Sequence, residues 1–419
     1  MSKINLSLRE VVTLLQKKDI KATMLGIGPM SELVIRATLE LGRDMSFPVM
    51  LIASRNQIDC AELGGGYVMG WDQMSFSEHI YKLADEAGFE GLLYLCRDHG
   101  GPWQRDNEKH DKLSEKDAMS KAKASYLADL KAGFNVLHID PTKDPNFSGA
   151  VPMKTVIART IELIEYAENQ ISKLNLKSVS YEVGTEEISG GFTSNEAFEK
   201  FISELLNSLD SRKLPPPAFI VGQTGTLVKM NKNVGRFDAK TARELCYISK
   251  NYGIGFKEHN ADYLPNDVLI MHPDLGITAA NVAPEFGMVE TISLLRLAEE
   301  ENQKIKCRSD LVASEFIPII QKAALDCGRW KKWLFKEDEH LTDKDISAMP
   351  QKLEEITSVC GHYVFDRDEI RKARAKLYDN IKAMNIDGSP ETRVIESVKD
   401  AIMKYVEAFR LKDLNGRIT

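Results

Sequence analysis

The sequence predicts a (β/α)8 barrel of the TIM type with a C-terminal helical extension, from three observations. Eight short apolar runs, each followed by a stretch of helical periodicity, succeed one another between Ala22 and Glu300. Nearly every run ends in polar or ionisable residues, which in a closed parallel barrel converge on one mouth at the C-terminal ends of the strands. No G-x-G-x-x-G follows the first strand and no G-x-x-x-x-G-K-[ST] occurs anywhere, so the runner-up, a doubly wound open sheet, lacks nucleotide-binding support.

The elements follow in order. A leading helix is predicted over Leu8–Lys18, where Leu8, Val11, Val12, Leu14 and Leu15 recur at helical spacing. Ala22–Pro29 is the first strand, and Ser31–Leu41 a helix with Ser31 as N-cap. Strand Pro48–Ser54 opens into the polar, glycine-rich loop Arg55–Ser75, too long for a plain connection and expected to cover a site. Helix Phe76–Ala87 leads to the third strand, Leu92–Cys96, which runs into Arg97, Asp98, His99 and the turn Gly100–Pro102. Helix Glu115–Ala132, strand Asn135–Asp140, helix Met153–Ser172 and strand Ser178–Gly184 come next. Helix Asn195–Leu209, strand Ala218–Val221, helix Ala239–Lys250 and strand Ile254–Lys257 continue the rhythm. An irregular piece holding His272 precedes strand Gly276–Ala283 and helix Pro284–Glu300, where proline at the first helical position loses no needed N–H. Past residue 303 the rhythm stops. Asp310–Asp326 and Pro390–Phe409 read as helices flanking a mixed segment that includes Gly328–Tyr363. Residues 1–302 are therefore read as the barrel and 303–419 as an extension packed on it.

Composition narrows the function. At 419 residues the chain suits a barrel of roughly 250 residues plus an addition, and 43% apolar content can fill a large core. A net charge of −7 without a basic stripe argues against nucleic acid. The N-terminus lacks a signal-peptide core and no apolar run reaches the ~20 residues that span a bilayer, so a cytoplasmic protein without membrane contact is expected. The six cysteines are scattered without a C-x-x-C, which suits a reducing compartment and core packing rather than a zinc cluster. A homo-oligomer is expected.

The strand ends collect Asn56, Gln57, Asp98, His99, Asp140, Glu182, Glu186, Gln223, His259, Asp262 and Asn281. Two histidines and carboxylates with no sulfur nearby suit a divalent metal such as Zn²⁺, Mn²⁺ or Co²⁺. His99, His259 and Glu186 are the expected ligands, although strand parity leaves Glu182 and Glu186 interchangeable in that role. Such an ion acts as a Lewis acid on a carbonyl and neighbouring hydroxyl of a polyol, while Asp98, with Asp140 and Glu182, handles protons. Asn56, Gln57, Gln223, Asp262 and Asn281 are expected to bind substrate. His138 reads as a packed, hydrogen-bonded histidine, and His79, His110 and His340 as surface residues. His362, beside Tyr363, reaching over the mouth as a lid is the lesser reading.

Several motifs in collinear order resemble a known family. Asp98–Pro102 followed by Trp103 and Gln104 is similar to the D-H-x-G-P and W-Q pattern of the so-called non-catalytic subunits of class II tagatose-bisphosphate aldolases. The same family's remaining motifs are matched by Asn56-Gln57 with Gly65–Tyr67, Ala132–Phe134 with His138–Asp140, Ser180-Tyr181 with Gly184–Glu186, His259–Tyr263, and Trp330–Lys332. The resemblance implies a TIM barrel in which His99 binds a divalent metal and Asp98 handles the proton. It also implies a ketose or ketose-phosphate substrate, acted on by C4 epimerisation or aldol cleavage. Alternatively, it implies a catalytically silent subunit that stabilises a class II aldolase catalytic subunit. A kinase label used for some members finds no motif here. The chain departs from the family at Glu182, Arg97 and Asn260, and at Glu285, an acid at the start of the eighth barrel helix. Glu285 would repel phosphate at a barrel's ordinary phosphate position, so either a neutral sugar or a different phosphate position is expected.

Overall fold

A computed structural model describes residues 6–184, 194–386 and 388–419. Eight parallel strands close into a barrel: β1 (Met24–Ile27), β2 (Val49–Ser54), β3 (Leu93–Gly100), β4 (Val136–Ile139), β5 (Ser180–Gly184), β6 (Phe219–Val221), β7 (Gly255–Glu258) and β8 (Ile277–Val282). Closure comes from β1 pairing with both β2 and β8, in the register Met24 to Ala279 and Gly26 to Met50. Helix α1 (Leu8–Lys17) precedes the barrel, and α2 (Glu32–Met45), α3 (Gln73–Ala87), α4 (Glu115–Lys131), α5 (Met153–Leu174), α6 (Asn195–Ser211), α7 (Ala239–Asn251), α8 (Asn266–Leu275) and α9 (Pro284–Lys304) follow successive strands. The architecture is the predicted (β/α)8 barrel.

Local chemistry sets the elements. Ser7 and Glu10 form a reciprocal capping box that starts α1, which buries Leu8, Val11, Val12 and Leu15. The Arg9 N–H donates to Ser180 Oγ (3.1 Å) and Gln16 Nε2 to the Ile254 carbonyl (3.0 Å), so α1 closes the N-terminal end of the barrel. The opposite end stays open. Within β5 the period of two sends Tyr181 outward, where its hydroxyl donates to Glu168 on α5, and sends Glu182 inward.

The extension adds α10 (Phe316–Asp326), α11 (Pro350–Cys360), α12 (Asp368–Ala383) and α13 (Pro390–Ala408). It shares one apolar cluster with α2 and α9, in which Phe286, Leu294, Val398 and Tyr405 are all buried. Among the described residues no helix is long and apolar enough to cross a membrane.

One expectation is corrected. The irregular piece around His272 is helix α8. Its exposed face carries Ile270 and Met271 and its last turn carries Pro273, so the apolar period was blurred and a breaker stood inside it. His272 is buried in stacked contact with Phe237 and Phe409, ring centroids 5.3 and 5.2 Å away, and bonds Glu258 (3.1 Å).

Beneath α2, Glu290 of α9 is fully buried. Ser31 Oγ donates to its Oε2 (2.5 Å), and Oε1 has no hydrogen-bond partner among the described residues. Burial pushes its carboxyl up to about 7. A folded-state value above the unfolded one means that the stability it contributes is present at acid pH and lost as pH rises through about 7. Glu290→Gln is therefore expected to unfold later than the parent at pH 8, by up to about 3 kcal/mol, and by little at pH 5. Urea unfolding at the two pH values checks this; a substitution equally harmful at both would contradict it.

Candidate active site

The site begins with a break in β3. Ladder pairing with β4 runs from Cys96 and Arg97 and then shifts before Gly100, and His99 sits at φ 42°, a left-handed conformation rare for a residue with a Cβ. In a regular strand Asp98 and His99 would face opposite sides. The irregularity brings both into the mouth, where His99 Nε2 lies 4.0 Å from Asp98 Oδ2. Arg97 points away, into the helix layer, where it pairs with Asp129 (2.5 Å) and donates to the carbonyls of Ala53 and Ile58.

Around this pair stand His138 from β4, Glu182 from β5 and His259 just past β7. The three imidazole centroids form a near-regular triangle of 4.9, 5.1 and 5.3 Å. Candidate ligand atoms of His99, His138 and His259, and of Asp98, His138, Glu182 and His259, lie within 4.8 Å of one another. His259 Nε2 is 2.8 Å from Glu182 Oε1, and Lys257 Nζ is 2.6 Å from Glu182 Oε2. Asp140 Oδ2 is 2.9 Å from His99 Nδ1, while Thr142 Oγ1 donates to Asp140 Oδ1 (2.5 Å). Two glycines make the room. A Cβ on Gly184 would come within 2.9 Å of His138 Nε2, and one on Gly26 within 2.2 Å of Asn281 Oδ1.

Burial by itself would raise these carboxyls, yet the surrounding cations outweigh it. His99, His138 and His259 hold Asp98 far below the usual carboxylate range. Lys257, with His138 and His259, brings Glu182 down to about 2. The hydrogen bond from His99 and the charges of His138 and Lys143 hold Asp140 well below normal. Three ionised carboxylates thus stand among three imidazoles, and Asp98, His99 and His259 of this group line a cavity of about 370 Å³.

Other expected residues fall around this centre. Asn281 Nδ2 donates to Asp98 Oδ1 (3.1 Å), while Asn56 and Gln57 line the cavity. Asn56 also receives the Asp106 N–H (3.3 Å), and Gln57 receives that of Ser54 (2.8 Å). Buried pairs of Arg55 with Asp59 (3.1 Å) and Glu108 (2.8 Å) fix the loop that carries them. Asp262 lines the cavity but spends Oδ1 on the N–H groups of Ala283 and Glu285. Gln223 is not among the lining residues, and its Oε1 accepts the Gly225 N–H (3.0 Å). Glu186 lies outside the described residues.

Sequence reasoning missed three contributors. His138 is buried and hydrogen-bonded as expected, receiving the His99 N–H (3.1 Å), yet it also completes the imidazole triangle. Lys257 closes the apolar run Ile254–Lys257 in the sequence, and its parity with His259 two residues on is the signal that places it on the same face. The extension contributes Arg329, Lys332, Trp333 and Tyr363 to the cavity wall. His362 is buried, with its ring atoms where a Cβ on Gly287 would fall, and does not line this cavity.

The sequence profile of the family described as D-tagatose-1,6-bisphosphate aldolase subunit GatZ/KbaZ-like matches residues 8–208. A D-tagatose 6-phosphate 4-epimerase of Agrobacterium fabrum (strain C58) is 29% identical over 157 residues, 36% of this chain. The match spans about a third of that relative's own length, 34%. A solved structure described as a probable tagatose 6 phosphate kinase from Sinorhizobium meliloti 1021 superposes with a TM-score of 0.74 at 21% identity, covering 92% of this chain and all of that one. A fructose-bisphosphate aldolase from Campylobacter jejuni reaches 0.54 at 11% identity, covering 97% and 96%. At these identities the two structures share the barrel fold with this chain.

Glu182 depends on its buried cation. Lys257→Met leaves a buried carboxylate with only imidazole beside it and is expected to cost about 3 kcal/mol at pH 7. Denaturant unfolding checks the loss; an unchanged midpoint would show that the pair carries no such coupling.

Proposed function

We propose, for a chain whose residues 8–208 match the GatZ/KbaZ-like family of D-tagatose-1,6-bisphosphate aldolase subunits, a metal-dependent carbohydrate enzyme of the class II aldolase type. It would act on a ketose or ketose phosphate, by C4 epimerisation or by reversible aldol cleavage. The observation that carries this reading is the triangle of His99, His138 and His259 with Asp98 and Glu182 beside it.

The residues fit a divalent ion such as Zn²⁺, Mn²⁺ or Co²⁺. Their donors are nitrogen and oxygen with no sulfur among them, and they converge to within 4.8 Å of one another, His138 through the Nδ1 that lies 3.8 Å from Asp98 and 3.6 Å from Glu182. His99, His138 and His259 would hold the ion, with Glu182 adjoining. Bound there, it supplies Lewis acidity toward a ketose carbonyl and its neighbouring hydroxyl. The chain's own groups do the rest. Asp140 accepts a hydrogen bond from the His99 Nδ1–H, which turns Nε2 toward the cluster. Asp98, ionised and oriented by Asn281, is placed to take a proton from a substrate hydroxyl or carbon. Lys257 keeps Glu182 ionised for a second proton transfer or for ligation.

The reading extends to organisation. Residues 1–302 act as the catalytic barrel and 303–419 as an extension that walls its mouth. Six free cysteines support work in a reducing cytoplasm. The family's description as an aldolase subunit favours a second reading, a silent partner of a class II aldolase catalytic subunit.

Metal analysis separates the two readings. Protein purified without chelator is expected to carry close to one equivalent of metal, lost in His99→Ala and in His138→Ala. Metal in none of them would leave the silent-partner reading. Asp98→Asn is expected to retain the metal while turnover of ketoses or their phosphates falls about 10²- to 10⁴-fold. Unchanged turnover would remove Asp98 from proton transfer.

A further inference from the structure

Resting on the reading of this mouth as a ketose-phosphate site, we infer that the extension supplies its phosphate subsite. A phosphate monoester on the end of the sugar remote from the imidazole triangle is held by Arg329 and Lys332, not by the start of α9.

In a (β/α)8 barrel, phosphate ordinarily sits on free N–H groups at helix starts after the seventh and eighth strands. Here the start of α9 is filled from within. Asp262 Oδ1 accepts the N–H groups of Ala283 (3.0 Å) and Glu285 (2.9 Å), Pro284 has none, and that of Phe286 goes to the Ala283 carbonyl (3.2 Å). The Glu285 carboxylate stands beside it, accepting from the Tyr263 N–H and the Tyr405 hydroxyl, each at 2.5 Å. Burial and then Glu285 push Asp262 up to about 7, which reports the same crowding of negative charge. A dianion finds neither donors nor a favourable field there.

The far wall of the same cavity has the opposite character. Arg329 and Lys332 lie on the short turn Arg329–Trp333 and line the cavity together with Asp98 and His99. Lys109 and Lys143 add positive charge from two barrel loops. The Arg329 guanidinium is centred 4.9 Å from both the Tyr67 and Tyr363 rings, which hold it in place. Its Nη1 is shielded from solvent and 3.5 Å from the Asp106 carboxylate, yet makes no hydrogen bond among the described residues. Lys332 Nζ lies over Trp333 (4.9 Å) and Tyr363 (5.2 Å). The turn is itself pinned to the barrel, because the Met230 N–H donates to the Trp333 carbonyl (3.0 Å) and Lys229 Nζ to that of Lys332 (3.0 Å). A guanidinium held by rings at the cavity wall, with an Nη1 that its ion pair with Asp106 leaves without a hydrogen bond, suits the oxygens of a phosphate, and a lysine beside it adds a second charge.

Calorimetric titration of the full chain with inorganic phosphate at constant ionic strength tests this. Arg329→Gln and Lys332→Gln are each expected to weaken binding about tenfold, and together more. Lys332 is the more exposed of the two residues, so Lys332→Gln is the milder variant for the fold. Phosphate affinity indifferent to both substitutions, or lost only when Asp262 is changed, overturns the subsite. Metal content measured on the same samples keeps the two readings apart. Phosphate binding that depends on Arg329 and Lys332 in a metal-free protein supports the subsite and overturns the catalytic reading. Metal bound and ketoses turned over, with phosphate affinity indifferent to the pair, overturns the subsite alone.

Discussion

The mouth of this barrel depends on one irregularity, the break in β3 at His99. A regular strand presents one residue in two to the barrel interior, so adjacent Asp98 and His99 could not both serve one site. Holding His99 at φ 42° costs on the order of 1 kcal/mol or more, and the surroundings enforce it. The His99 N–H is fixed on His138 Nδ1, its ring on Asp140, and the preceding Arg97 is anchored in the helix layer by Asp129. Strain is stored where a carboxylate and an imidazole stand side by side.

Charge compensation is the second constraint. Buried carboxylates persist only when cations or donors surround them. Asp98 has three imidazoles and Asn281, Glu182 has Lys257 and His259, and Asp140 has His99 and Thr142. Apart from His99 beside Asp98 and Thr142 beside Asp140, these partners come from other strands than the carboxylate they serve, so the polar layer of the mouth exists only when the barrel is closed. Gly26 and Gly184 belong to the same design, since a methyl group at either would strike Asn281 or His138.

The extension is joined to this centre by packing and by hydrogen bonds. Helix α13 packs on α2 and α9, and its Tyr405 hydroxyl reaches the Ala261 carbonyl and the Glu285 carboxylate. That contact turns Glu285, an acid at a helix start, into part of a buried hydrogen-bonded group. Further along, the turn Arg329–Trp333 brings aromatic rings and two more cations to a mouth whose barrel side carries Asp98, Asp106 and Asp262 together with Lys109 and Lys143. The wall of the cavity is therefore built from two parts of the chain far apart in sequence.

By itself the sequence determined the barrel. Short apolar strands alternating with helical periods are local patterns, and they placed all eight strands within a few residues. Asp98, His99 and His259 were legible because ionisable residues directly after buried strands stand out against their neighbours. His138 and Lys257 were not, because a polar residue inside an apolar strand looks the same whether it packs quietly or joins a cluster. Only the closure of β4, β5 and β7 around a common axis decides that. Helix α8 was hidden by its exposed Ile270 and Met271 and by Pro273. The wall formed by Arg329 and Lys332 was beyond reach, since nothing local says where a turn more than forty residues after the last strand will dock. Periodicity is written along the chain, whereas the meeting of charges is set by long-range packing, and only the tertiary structure resolves it.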